Sequence, residues 1–84
     1  MNISHLKNSS HLKLVPVIAS FNTEGVIKPL YVRIDGEDIK IWRVFPAENN
    51  TSILTFRCEV MDGDLVREIK ISYHMREMVW SMPA

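Results

Sequence analysis

Three glycine-containing turn signals divide this chain into short segments in which apolar and polar residues alternate. The signals are Asn22-Thr23-Glu24-Gly25, Asp35-Gly36 and Asp62-Gly63. Asp-Gly between two alternating segments is a strong local signal for a β-hairpin, because both residues tolerate the positive φ angles of a tight hairpin turn. No segment keeps a helical period over the roughly 11 residues that an amphipathic helix needs. The sequence therefore predicts an all-β fold.

The alternating segments define the predicted strands. They span residues 14–21, 26–34, 39–45, 54–60 and 65–75, with a loop at 46–50. Residues 76–82 extend the last strand, form a sixth strand or make a terminal helical turn. Pro29 interrupts the second segment, so that strand either begins at Leu30 or is bent there by a bulge. About five or six short strands cannot build two large sheets, so we expect an antiparallel meander in a strongly bent sheet or small open barrel.

The alternation also predicts which side chains form the core and where the domain begins. Leu54, Phe56, Cys58 and Val60 share one face of the fourth segment. In the third segment, Ile39, Ile41 and Phe45 are assigned to the inner face and Lys40, Trp42 and Val44 to the outer face. Residues 1–12 lack any such period and are predicted to be a flexible tail, which leaves 13–84 as a single small β domain.

Charge and cysteine content bear on partners and compartment. Ten basic and ten acidic side chains cancel, whereas a nucleic-acid-binding domain usually carries net positive charge. Cys58 is the only cysteine, so no intramolecular disulfide can form, and a secreted domain of this size would normally need several. No stretch approaches the roughly 20 apolar residues that cross a bilayer. We therefore expect a cytoplasmic protein that does not insert into a membrane.

The residues that could carry catalysis or bind a metal have simpler explanations. His5 and His11 lie in the predicted tail, and His74 is predicted on the solvent-facing side of a strand. Cys58 shares the core face, where a thiol behaves as a small apolar group. The acidic residues Asp35, Glu37, Asp38, Asp62 and Asp64 lie where turn chemistry already favours them. We predict no catalytic, cofactor-binding or metal-binding residue, and hence no enzyme and no cofactor.

Four side chains make a candidate binding surface on the second and third strands. Tyr31 with Arg33, and Lys40 with Trp42, occupy outward positions on adjacent strands. Paired across the hairpin, they would form a basic and aromatic platform of the kind that binds nucleic acid or docks a protein. Alternatively, Tyr31 and Trp42 cover a second, minor core, as large aromatic side chains in small domains commonly do.

The C-terminal segment is a candidate for self-association. Met75, Met78 and Met82 with Trp80 place more apolar surface here than a polar tail would carry. This segment either packs back over the barrel or contacts a second copy. If there is a dimer, we expect Met78 and Trp80 to form the oligomer contact.

The stretch from Val15 to Val44 resembles a known group of sequences. It contains Val-Pro-Val-Ile-Ala-Ser-Phe-Asn-Thr-Glu-Gly, then Ile-Lys-Pro-Leu-Tyr-Val-Arg and Asp-Gly-Glu-Asp-Ile-Lys-Ile-Trp-Arg-Val. This pattern resembles short, uncharacterised all-β hypothetical proteins of Firmicutes bacteria. The resemblance implies a bacterial origin and carries no functional residue with it.

These observations favour a non-catalytic protein-interaction module. Its working surface would be the outer face of the second and third strands. A protein partner or self-association ranks first because the net charge is zero. The alternative is a small barrel that binds single-stranded nucleic acid, and the third is an enzyme or metal protein whose site forms only on folding.

Overall fold

The computed structural model describes residues 11–84 as eight antiparallel strands without a helix. The strands are β1 (Leu12–Leu14), β2 (Val17–Phe21), β3 (Ile27–Ile34), β4 (Glu37–Val44), β5 (Glu48–Asn50), β6 (Ile53–Asp62), β7 (Leu65–His74) and β8 (Val79–Pro83). Their order in the sheet is β1-β8-β7-β6-β4-β3-β2, and β5 pairs with β6. The all-β, antiparallel prediction is confirmed, but the predicted number of strands, five or six, is too low.

Two three-residue strands account for most of this difference. β1 pairs with β8, and β5 pairs with β6 through Asn50 opposite Ile53. The prediction of a loop at 46–50 was therefore wrong for Glu48–Asn50. All three side chains of β5 are polar and exposed, so backbone hydrogen bonding alone forms the strand and no apolar alternation marks it. Of the predicted tail, residues 1–10 lie outside the described residues.

The C-terminal alternatives are resolved in favour of a separate strand. The chain turns over residues 75–78, where the Met78 amide donates to the carbonyl of His74 at 2.7 Å. β8 then pairs with β7 through Tyr73 opposite Trp80. No terminal helical turn replaces this strand.

Two bulges curl the sheet into a half-barrel. Ile18 pairs with Tyr31 but Ala19 pairs with Pro29, which leaves Leu30 as the extra residue of β3. The predicted bend beside Pro29 is therefore a bulge. A second bulge, at Trp42, lies between Ile41 and Arg43 of β4. Such extra residues bend a strand and increase its twist.

One continuous segment joins the two ends of the sheet. The Val15 amide donates to the carbonyl of Trp80 at 3.0 Å, and the Pro16 carbonyl accepts from the Arg33 amide at 2.9 Å. This short connection thus bonds to β8 on one side and to β3 on the other. Because Pro16 has no amide hydrogen, its position between two strands avoids the loss of a ladder hydrogen bond.

The tight turns are those that the glycines predict. Asp35 and Gly36 have φ angles of 51° and 81°, and Ile34 pairs with Glu37 on either side of them. Positive φ at both central residues is the geometry of a type I′ turn, whose twist matches that of the flanking strands. At the first turn, the Asn22 side-chain oxygen accepts hydrogen bonds from the amides of Glu24 and Val26.

The core lies on the concave face of the curled sheet. Its buried apolar residues are Val15, Val32, Ile34, Ile41, Phe56, Cys58, Val60, Ile69, Ile71 and Trp80. Cys58 is buried, as predicted. Phe56 and Tyr73 both pack on Trp80, with ring centroids 5.7 and 5.0 Å from it. This cluster leaves the convex face of β3 and β4 free of any core role.

Three sequence assignments of side-chain direction were wrong. Past the Trp42 bulge the alternation changes phase, so Val44 packs against the core and Phe45 does not. His74, predicted on the solvent-facing side, is only 4% exposed. Its Nε2 lies 2.7 Å from the Oγ of Ser81, which is also buried. The hydroxyl of Ser81 thus gives one ring nitrogen of the buried histidine a hydrogen-bond partner without solvent.

Candidate binding surface

The convex face of β3 and β4 carries the predicted binding residues in adjacent positions. Tyr31 pairs with Lys40, and Arg33 pairs with Asp38 in the same ladder. Trp42 follows Lys40 by two positions on β4, so the alternation places both on the same face. Tyr31 is 39% exposed and Trp42 is 63% exposed. Neither ring covers a second core, so the alternative in which they do so is wrong.

A third apolar side chain extends this surface onto β2. Ile18 pairs directly with Tyr31 across the β2–β3 ladder and is 59% exposed. Directly opposite residues in an antiparallel pair share one face of the sheet. Ile18 and Tyr31 are therefore direct neighbours on the face that also carries Trp42, while Lys40 is the direct β4 partner of Tyr31.

A groove of about 560 Å³ runs along this convex face. Its walls include Leu30, Tyr31 and Trp42, and its charged lining residues are Lys28, Lys40 and Arg43. No carboxylate is among the described residues that line it. Lys28 and Lys40 form no ion pair with a described residue. The groove is thus a local region of positive charge in a chain whose formal net charge is zero.

Arg33 differs from the other cations because its charge is already paired. Its Nε donates to Asp38 Oδ1 at 2.7 Å, and its Nη2 donates to Asp38 Oδ2 at 3.3 Å. The hydrogen bond from Arg33 lowers the pKa of Asp38 below its ordinary value. It also raises the pKa of Arg33. Of the two cations among the predicted surface residues, Arg33 is therefore less able than Lys40 to attract an external anion.

The β4 bulge supplies Arg43, the third cation that lines the groove. The Arg43 guanidinium carbon lies 4.8 Å from the centroid of the Phe45 ring, and that of Arg57 lies 4.3 Å from it. Arg43 also lies 3.9 Å from a carboxylate oxygen of Glu59. These contacts orient Arg43 without a close ion pair, because a cation over a ring face is held by the ring quadrupole. The sequence did not predict Arg43 as a surface residue, because uninterrupted alternation with Ile41 and Phe45 puts it on the inner face and only the bulge turns it outward.

The side chains that could carry catalysis, unlike the exposed binding residues, are buried inside the fold. Burial raises the pKa of the Cys58 thiol to about 11, which keeps it protonated and unreactive near neutral pH. Ser81 and His74 are hydrogen-bonded, but both are buried in the described fold. Within residues 11–84, no three His, Cys, Asp or Glu side chains are grouped so that they could hold a metal ion.

The two residues predicted for an oligomer contact have different environments. Met78 is 64% exposed, whereas Trp80 is 9% exposed and packs in the core. Met78 lies beside Leu14, Pro16 and Val79 at a separate apolar cleft of about 420 Å³. That cleft lies at the junction of β1, β2 and β8, away from the groove on β3 and β4.

Comparison of the chain with family models, curated proteins and solved structures gives no match. In the part of the chain that the structure describes, no helix is long and apolar enough to cross a membrane. Inferences about function therefore depend on the geometry of the chain itself.

Proposed function

We propose that this chain is a small, non-catalytic interaction module that binds a protein partner through the convex face of β3 and β4. The resemblance to Firmicutes proteins and the single free thiol of Cys58 support a bacterial, cytoplasmic setting. The observation that carries the proposal is the exposure of Trp42, 63%, at the wall of a groove that Tyr31 and Lys40 also line.

A partner is expected on this face because it is energetically unfavourable to leave the aromatic rings of Tyr31 and Trp42 exposed to water. A large aromatic side chain gains most of its favourable free energy when it is removed from solvent. Trp, Tyr and Arg are also the residues that most often dominate binding energy at protein interfaces. Tyr31, Trp42 and Arg43 bring these three residue types together on one face, with Ile18 extending the apolar area.

The direct test is a quantitative pull-down from a bacterial extract with immobilised protein. A partner that binds this face should be recovered by the unaltered chain and lost with Trp42→Ala. The matched control is Leu65→Ala, because Leu65 is also an exposed large apolar side chain but lies at the start of β7. Equal recovery of every protein by the unaltered chain and Trp42→Ala would contradict the proposal.

Single-stranded nucleic acid is the second candidate, favoured by one specific observation. The groove combines three cations with two aromatic rings and has no lining carboxylate among the described residues. Bases stack on exposed rings while Lys and Arg contact phosphates. Binding of this kind weakens steeply as salt is added, because condensed counterions are released. A nitrogen-edited NMR titration with short oligonucleotides at low and high salt distinguishes it from an apolar protein contact.

A further inference from the structure

We infer that the groove on β3 and β4 receives an extended acidic segment of a partner protein, whose carboxylates pair with Lys28, Lys40 and Arg43. This inference rests on the proposed function and adds the chemistry of the partner. An apolar side chain of the same segment packs on Trp42 and Tyr31.

Charge complementarity is the first argument. The groove places Lys28, Lys40 and Arg43 around one channel without a lining carboxylate. Lys28 and Lys40 have no ion pair within the described fold, so a ligand does not have to break one. Complementary charge of this kind speeds association and selects among partners. An anionic ligand is therefore the occupant that the groove favours.

The apolar surface argues that this ligand also carries side chains of its own. Besides its two aromatic rings, the groove is lined by the aliphatic side chain of Leu30, which lies outside the core cluster. Ile18 continues this apolar surface beyond Tyr31. Aliphatic surface offers little to the flat face of a base, but it packs well against Leu, Ile or Phe of a peptide. An acidic segment with one or two apolar residues matches both properties of the groove.

The distribution of carboxylates argues against a longer polyanion on the same path. The β3–β4 turn carries Asp35, Glu37 and Asp38. Because Ile41 pairs with Val60 in antiparallel register, the β6–β7 turn with Asp62 and Asp64 lies at the same end of the sheet. Asp38 and Asp62 are ion-paired, with Arg33 and Arg67 respectively. A nucleic-acid strand that follows β3 and β4 toward this end still meets Asp35, Glu37 and Asp64, which form no ion pair with a described residue. A short acidic segment that lies in the groove ends before it reaches these carboxylates.

The test is selection of random twelve-residue peptides displayed on phage, followed by NMR mapping of the selected sequences on the labelled chain. We expect a consensus that contains Asp or Glu together with an aromatic or large aliphatic residue. A synthetic peptide of that consensus should shift the amide signals of Lys28, Tyr31, Lys40 and Trp42. The affinity should fall as salt is added, since charged groups at the surface are screened.

A charge-reversed variant and a matched control test whether the three cations are responsible. In the triple variant Lys28→Glu, Lys40→Glu and Arg43→Glu, we expect affinity for the acidic peptide to fall about tenfold or more. The control reverses three cations outside the groove: Lys13→Glu, Arg67→Glu and Arg76→Glu. It changes net charge equally and should keep affinity within about twofold. The NMR spectrum of each variant establishes that it is folded.

The outcomes separate this inference from the proposed function. No selected consensus, or a consensus without acidic residues, overturns the inference. If such non-acidic peptides still lose binding with Trp42→Ala, the proposed protein-binding face stands while the acidic partner does not. If an oligothymidine titration shifts the groove signals and the selected peptides do not, the inference fails in favour of nucleic acid.

Discussion

β6 and β4 are hydrogen-bonded neighbours that place their large aromatic side chains on opposite faces of the sheet. β6 buries Phe56 against Trp80, whereas β4 exposes Trp42. β6 alternates without interruption against β7, through ten consecutive pairs. β4 instead contains one extra residue opposite β6.

The bulge explains why β4 behaves differently. In an uninterrupted ladder, Trp42 would pair with Glu59, and Arg43 would pair with Cys58 and point into the core. A buried charge without a partner is strongly unfavourable. With the bulge, Arg43 pairs with Glu59 and Val44 pairs with Cys58. The extra residue therefore keeps a cation outside, returns an apolar residue to the core and leaves Trp42 and Arg43 adjacent on the convex face.

The largest difference between the two strands should appear in stability. Phe56→Ala removes a buried ring that contacts Trp80, and we expect it to lower the free energy of unfolding by about 3 to 5 kcal/mol. Urea denaturation followed by circular dichroism measures this. Phe56→Leu keeps most of the volume and should cost clearly less. A loss below about 1 kcal/mol in Phe56→Ala would contradict the burial of this ring.

A second prediction concerns Cys58, the neighbour of Phe56 on the inner face of β6. Burial raises the pKa of its thiol from 9.0 to about 11. The unfolded chain therefore loses this proton at lower pH than the folded chain does. The contribution of the thiol to stability is complete below about pH 9 and is lost as pH rises through about 11, at up to about 1.4 kcal/mol per pH unit.

The measurement is the free energy of unfolding between pH 8 and 11 for the unaltered chain and for Cys58→Ala. Lysine and tyrosine titration affects both proteins, so the difference between their slopes isolates the thiol. A steeper decline in the unaltered chain is expected. Parallel slopes would mean that the thiol is as accessible to solvent in the folded chain as in the unfolded one.

On β4 the corresponding aromatic truncation should hardly affect stability. Trp42 lies on the convex face outside the core cluster, so Trp42→Ala should change the free energy of unfolding by no more than about 0.5 kcal/mol. The same denaturation experiment, run beside Phe56→Ala, tests the contrast directly. A loss comparable to that of Phe56→Ala would show that Trp42 packs in the fold, and would remove the main support for a binding role.

Local sequence signals predicted the parts of the fold that depend on local chemistry. The turn at Asp35-Gly36, the bend beside Pro29 and the burial of Cys58 each follow from one or two residues and their spacing. β1 and β5 could not be predicted in this way, because three-residue strands form through backbone hydrogen bonds to distant partners. The Trp42 bulge was missed for a related reason, since the register of β4 is set by β6.

The candidate site shows the same division between local and non-local information. Tyr31, Arg33, Lys40 and Trp42 were predicted from alternation and share one face, as the pairing of Tyr31 with Lys40 demonstrates. Alternation alone left open whether the rings were buried, since that depends on what packs against them. Arg43 lies on this surface only because of the bulge in β4. Lys28 lines the groove only because the sheet is curved.

The smallest expected effect lies at the start of β4 and concerns the ion pair of Arg33 with Asp38. The hydrogen bond from Arg33 lowers the pKa of Asp38, so the pair contributes at neutral pH and is lost as pH falls through the lowered value. Both side chains are about half exposed, and solvent screens such pairs strongly. Arg33→Gln should therefore raise the pKa of Asp38 toward its ordinary value while leaving thermal stability at neutral pH almost unchanged. Carbon-detected NMR titration of the Asp38 carboxyl measures the shift. An unchanged Asp38 pKa would mean that the pair does not form in solution, and Arg33 would then join Lys28 and Lys40 as a cation free to meet an acidic partner.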